Sequence, residues 1–324
     1  MSRKEAWFEP LVLKSTEVGK IEGGLSAVFG ALLDTFWSDD AHDFSRAGIE
    51  LDLADGSSMH LWARFEVLLS DEAALHAAYA CKGAAGLKPC LVCMNVMNGR
   101  LQRDDVGAEA VLHSSSDYNA LRYHTMASLR GIARRLDTVA GEGVKARLDE
   151  TQTALGFNHC PAGILFREKW LSMAAPFAHA GFDWMHCYLV NGIFNHHTGL
   201  FLHAIRPLGI EPKALHEYIT RWTWPKSIGS KTGIDVFGPK RFDSSWKEWS
   251  LRATASEGLS LVPVVGMFFQ SVVENNSNHE LTRHSACFLL LTRVIEMLML
   301  ANRSDPSHNC MHVQSWVIFQ DANI

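Results

Sequence analysis

The apolar residues of this chain change their period near residue 104. From Trp7 to Val96 they fall in short runs that read as strands: Pro10–Leu13, Ala27–Leu33, Ile49–Leu53 and His60–Leu69. Ala54-Asp55-Gly56-Ser57 separates the last two, and Asp-Gly accepts the positive φ that a hairpin turn needs. Asp71 then stands at the end of a strand and opens a helical run, Glu72–Cys81, which Gly83, Gly86 and Pro89 break just before Cys90. Beyond residue 104 apolar residues recur every three or four positions. That spacing predicts helices over Tyr118–Val139, Val144–Leu155, Met185–Ile205, Pro212–Trp222, Ala255–Val273 and Ser285–Ala301. A chain carrying both periods belongs to the α/β class and not to the all-α class.

Bulk properties narrow the function. The 324 residues suffice for one large domain or two smaller ones. Phosphate contacts give nucleic-acid binders of this size a basic excess, but the formal net charge here is −5. DNA contact therefore requires a local patch. The opening MSRKEAWFEP has no apolar core of a secretory signal, and Arg293 and Glu296 interrupt the most apolar run, Ser285–Ala301. A buried core helix, an intracellular location and no membrane partner are expected. Seven cysteines, an odd count without a signal, point to reduced thiols or metal ligands and not to a disulfide framework.

Three strings could carry chemistry. In Phe65–Asn95, a carboxylate at a strand end, Asp71, sits where a metal-holding acid is commonly placed; its plainer role is capping the following helix. In Cys90-Leu91-Val92-Cys93 the spacing lets both sulfurs reach one zinc ion, with further ligands sought among Cys81, His159, Cys160, His186 and Cys187. The plainer alternative is a turn with two buried thiols. In Gly181–Asn195, Asp183 and His186 are three apart at a helix start and can face the same way, as ligands of a divalent ion or as a cap and an ordinary polar contact.

In this order the strings resemble the transposases of CACTA-type and related KDZ-type elements, members of the DDE class with an RNase H-like core. The residues that carry the resemblance are Asp71-Glu72-Ala73-Ala74, Lys82-Gly83 through Gly86, Cys90 and Cys93, then Asp183-Trp184-Met185-His186, and the helix of Glu257. The resemblance implies a partial RNase H-like mixed sheet with a helical insertion and C-terminal helices. The segments would be residues 1–103 for the core part with the CxxC, 104–180 for the insertion and 181–324 for the remainder. It also implies a nuclear location and metal-dependent phosphodiester cleavage with strand transfer. There, two Mg²⁺ or Mn²⁺ ions about 3.5–4 Å apart are held by three acids.

Asp71 matches the second acid of that set. The position of the first is occupied by Lys14, with Glu17 and Glu22 nearby, and a lysine repels the ions such a site must hold. For the third, Glu257 and Glu296 lie on predicted helices, and the tail after Asn302 no longer resembles the family. The set Asp71, Glu17 and Glu257 is thus incomplete. The expectation is a transposon-derived protein without full activity; the alternatives are an active nuclease or a zinc-stabilised interaction domain. A structural zinc on Cys90, Cys93, His186 and Asp183 would tie the insertion to the core. DNA would meet Arg122, Arg130, Arg134 and Arg135 on the insertion, or Lys226, Lys231, Lys240 and Arg241 in the Trp-rich segment. Solvated surfaces explain the same residues. The chain carries no phosphate-binding glycine motif, Gly-x-Ser-x-Gly elbow or His-Glu-x-x-His pair.

Overall fold

A computed structural model describes residues 11–37, 43–99, 110–115, 117–211, 213–224, 233–238, 241, 250–276 and 278–301. The chain divides into two units, Met1–Asp183 and Trp184–Ile324. Within the first unit, Phe29, Leu33, Leu75 and Leu91 pack with Leu129, Leu136, Phe157 and Ile164 in one core.

The first unit begins with α1 (Ser15–Val18) and α2 (Gly24–Phe36). The strand expected over Ala27–Leu33 is part of α2. A seven-residue apolar run fits either period, and here Phe29 and Leu33, one turn apart, both enter the core. Gly30 between them lies against the Trp170 ring, where a Cβ would collide. Leu11–Leu13 form no strand among the described residues, and Pro10 lies outside them. The expected hairpin is present: β1 (Ile49–Asp52) pairs antiparallel with β2 (Ser58–Leu61), Gly56 has φ +82°, and Asp55 accepts hydrogen bonds from the Ser57 N–H and hydroxyl.

The run His60–Leu69 is not one strand. After β2 the chain crosses to Phe44, through Ala63 N–H to Phe44 O at 3.0 Å, before β3 (Leu68–Ser70) begins. Next come α3 (Glu72–Ala78), β4 (Val96–Met97), β5 (Val111–Leu112), α4 (Met126–Gly141), α5 (Lys145–Leu155), α6 (Glu168–Met173), α7 (Pro176–His179) and β6 (Ala180–Phe182). Helix α4 starts later than its apolar spacing suggests because Thr125 and Ser128 form a reciprocal capping box there. The sheets among the described residues are three pairs: β1–β2 antiparallel, β3–β6 parallel and β4–β5 parallel. The unit mixes helix and strand, with helix predominating.

The α-helices among the second unit's described residues are α8 (Trp184–Tyr188), α9 (Ile193–Ile205), α10 (Lys213–Thr220), α11 (Ala255–Glu274) and α12 (His279–Ala301). The helix expected over Met185–Ile205 is broken by Asn191, with φ 53°, and Gly192, whose missing Cβ leaves room for the Cys187 carbonyl. Helix α12 starts earlier than the apolar run because Asn278 accepts the N–H groups of Glu280 and Leu281. Its buried residues Leu281, Ser285, Phe288, Leu291 and Ile295 make one helical stripe, and Arg293 and Glu296 lie on the exposed side. Pro263 lies inside α11 without ending it, the flanking turns being buried against the core at Leu261, Val262, Val264 and Val265. Among the described residues, α11 is the one helix long and apolar enough to cross a membrane, and half of that window is buried within the protein. The Trp-rich segment, apart from Arg241 and a few neighbours, and the tail after Ala301 lie outside the described residues.

Candidate functional site

The chemistry-bearing residues of the first unit gather around two places. The first is the carboxyl end of the β3–β6 pair. Its parallel register sets Leu68 against Ala180, Leu69 against Gly181 and Ser70 against Phe182. The ladder continues one step, with Asp183 N–H donating to Ser70 O at 2.8 Å. Asp71 and Asp183 therefore each follow the carboxyl end of one of two neighbouring strands. The pair approaches closely because residue 181 is glycine: a Cβ there would meet Val67 Cγ2 at 2.8 Å.

Asp71 is not idle at this position. Its Oδ1 accepts the Ala74 N–H at 2.7 Å, capping α3 with an extended backbone at φ −66° and ψ 162°. That satisfies one of the helix's unpaired donors and places a negative charge at the positive end of its dipole. Of the two roles expected for Asp71, the helix cap is the one its hydrogen bond displays.

The second place is the thiol loop that follows α3. Cys81, Cys90 and Cys93 are reduced, and Cys81 and Cys93 are buried. Cys90 Sγ accepts the Cys93 N–H at 3.2 Å, so the loop folds back on the first sulfur. Cys93 is held against Tyr123, and His124 N–H donates to Val92 O at 2.8 Å, which fixes the loop to the residues before α4. The thiol of Cys93 and the loop's backbone N–H groups hydrogen-bond Cys90 and hold its thiol below the ordinary range. Burial drives Cys81 the other way, up to about 11. Burial likewise lowers the buried His124 to about 4.

The remaining candidates are engaged in local structure. Glu17 is exposed on the single turn of α1 and pairs with Lys20 at 2.9 Å, next to Lys14 at the helix start. Glu22 and Glu296 are exposed. In the second unit Glu257 belongs to the capping box of α11 with Thr254 and receives two hydrogen bonds from Arg241, at 2.8 and 2.7 Å. The Arg241 guanidinium also donates to Arg252 O at 2.6 Å. Arg241's hydrogen bonds hold the Glu257 carboxyl down to about 2. This clamp joins two chain segments and already neutralises the charge that a metal ion would need. His186 lies exposed on α8, three residues past Asp183.

Among the described residues no three His, Cys, Asp or Glu side chains stand together as a metal-binding group. The expected sets, Asp71 with Glu17 and Glu257, and Cys90 with Cys93, His186 and Asp183, each draw on residues of both units. The loop of Cys90 and Cys93 holds two thiols three residues apart, one of them already receiving the Cys93 backbone N–H. Of the expected basic cluster, Arg130 is bound by Glu168 across α4 and α6, while Arg122, Arg134 and Arg135 are exposed. Lys226, Lys231 and Lys240 lie outside the described residues.

Compared with known proteins, the chain matches no family model, and neither a curated protein nor a solved structure is significantly similar to it.

Proposed function

We propose that the chain is a transposon-derived, transposase-like protein that has lost full catalytic activity and retains contact with DNA. The observation that carries this reading is the employment of its acids. Glu257 is held by Arg241 and the cap of α11, Glu17 is paired with Lys20 on an exposed turn, and Lys14 stands where the resemblance calls for the first acid. Three carboxylates already serving as caps and ion-pair partners hold no pair of ions without losing those structural bonds. DNA contact is assigned to the exposed Arg122, Arg134 and Arg135. A fluorescence-anisotropy titration of duplex DNA at several salt concentrations tests it. Arg134→Ala with Arg135→Ala should weaken binding and flatten the salt slope by roughly 2, about 0.9 per phosphate contact removed. An unchanged slope would remove these residues from the interface.

A second reading, an active Mg²⁺- or Mn²⁺-dependent nuclease, draws on the placement of Asp71 and Asp183 at neighbouring strand ends. It requires Asp183 in the role the resemblance gives to the acid near Lys14. Zinc, in either reading, would be structural and held first by Cys90 and Cys93.

A further inference from the structure

The second unit contains a pair of histidines that none of this uses. His197 on α9 and His284 on α12 face each other across the helix packing, with His284 Nδ1 3.3 Å from His197 Nε2. Their ring centroids are 5.4 Å apart, with the planes inclined by 43°. Phe269 and Phe288 pack against His197, at 6.3 and 5.6 Å between centroids, and Phe201 meets His284 edge-on at 6.2 Å. Both histidines are partly exposed, so the aromatic wall covers one side of the pair and leaves the other open to solvent.

We infer that His197 and His284 form a two-imidazole site for a zinc-class divalent ion that clips α9 to α12. Neutral imidazole is a ligand of choice for zinc, copper and nickel ions. Two nitrogens, each about 2.0–2.1 Å from one tetrahedral zinc, stand about 3.3–3.4 Å apart. The observed 3.3 Å separation is therefore already the edge of such a site. Aiming both lone pairs at one ion takes a turn of each ring about χ2, a broad sp³–sp² torsion, against the neighbouring phenylalanine rings. The aromatic rings confine the pair to this approach, and the solvent side leaves room for water or another donor to complete the coordination. The ion joins residues 87 positions apart in sequence, tying the last described helix of the unit to the first long one.

Calorimetric titration of the full chain with ZnCl₂, in the wild type and in His197→Gln and His284→Gln, tests the site. The wild type should take up one zinc equivalent that both variants lack. Zinc should raise the melting temperature of the second unit in the wild type alone. Zinc held by Cys90 and Cys93 remains in all three proteins and is recognised separately, because cobalt bound to thiolate gives an intense near-ultraviolet charge-transfer band and cobalt bound to imidazole does not. Either variant decides the matter, so one that fails to fold leaves the other. Variants that bind as many equivalents as the wild type, or a wild type binding only at its thiols, would overturn the proposal.

Discussion

The two units of this chain place their polar chemistry in opposite ways. In the first, reactive groups sit where strands and loops end: Asp71 and Asp183 beyond β3 and β6, and the thiols in the turn after α3. Short paired strands expose backbone ends and loops, and these elements aim side chains outward from a rigid base. In the second, polar groups lie between packed helices: the His197–His284 pair, the Arg241–Glu257 clamp, and Asn195, whose side chain donates to Ala253 O inside the core. There they join one helix or loop to another. The first unit places its reactive groups at the ends of strands and turns; the second places them where one helix or loop meets another.

The largest effect that separates the units comes from their cores. Phe269 stacks on Phe201 with centroids 3.5 Å apart and packs on Phe288 at 4.6 Å. Phe269→Ala should cost the second unit about 3–5 kcal/mol. In a denaturant titration it should shift the transition of that unit and leave the other in place. A single shared shift would show that the units do not unfold independently.

Acid should weaken both units over the same window, through one desolvated histidine in each: the buried His124 and the partly exposed His197. Burial lowers His124 to about 4, and burial with the neighbouring His284 lowers His197 to about 4. The unfolded chain takes up these protons near pH 6.5 and the folded units do not. Stability is therefore fully present above pH 6.5 and declines as pH falls toward 4, by at most about 3 kcal/mol for the buried His124 and by less for the partly exposed His197, where solvent screens the charge. Melting curves from pH 7.5 to 4 in the presence of a chelator measure the decline. His124→Gln should flatten it for the first unit only; equal slopes in the variant would break the assignment.

A smaller effect distinguishes the two roles of Asp71. Asn caps helices nearly as well as Asp and Ala does not, so Asp71→Ala should cost about 1 kcal/mol and Asp71→Asn close to nothing. Equal losses in both variants, read from the same melting curves, would mean that the charge of Asp71 is needed and not only its cap. Smallest of all, Arg134→Ala and Arg135→Ala should change stability by less than about 0.5 kcal/mol while altering DNA binding. A larger loss would move these residues from surface to structure.

Legibility in the sequence follows the range of the interactions. The Asp55-Gly56 hairpin, the Asp71 cap and helices α4, α5, α10, α11 and α12 depend on neighbours a few positions away, and each could be read directly. Helix α2 could not, because Ala27–Leu33 is short enough to fit both periods and only its packing on Trp170 decides between them. The breaks at Asn191-Gly192 and at Ala63 were hidden inside longer apolar runs. The parallel pairing of β3 with β6 joins residues more than a hundred positions apart, so the approach of Asp183 to the Asp71 strand end had no local signal. The same holds for His197 with His284 and for Arg241 with Glu257. Glu257 read as a possible metal ligand because a capping box and a catalytic acid on a helix look alike until the partner arginine is in view.

The central claim is that the acids of this chain now serve its structure and not catalysis. The direct measurement is nicking of supercoiled DNA by the purified full chain in Mg²⁺ and in Mn²⁺, beside Asp71→Asn, which keeps the helix cap. If the claim holds, neither protein nicks DNA above the metal-only control, while both still bind it. Nicking by the wild type in either metal, abolished in Asp71→Asn, would contradict the claim and restore Asp71 and Asp183 as members of a working two-metal site.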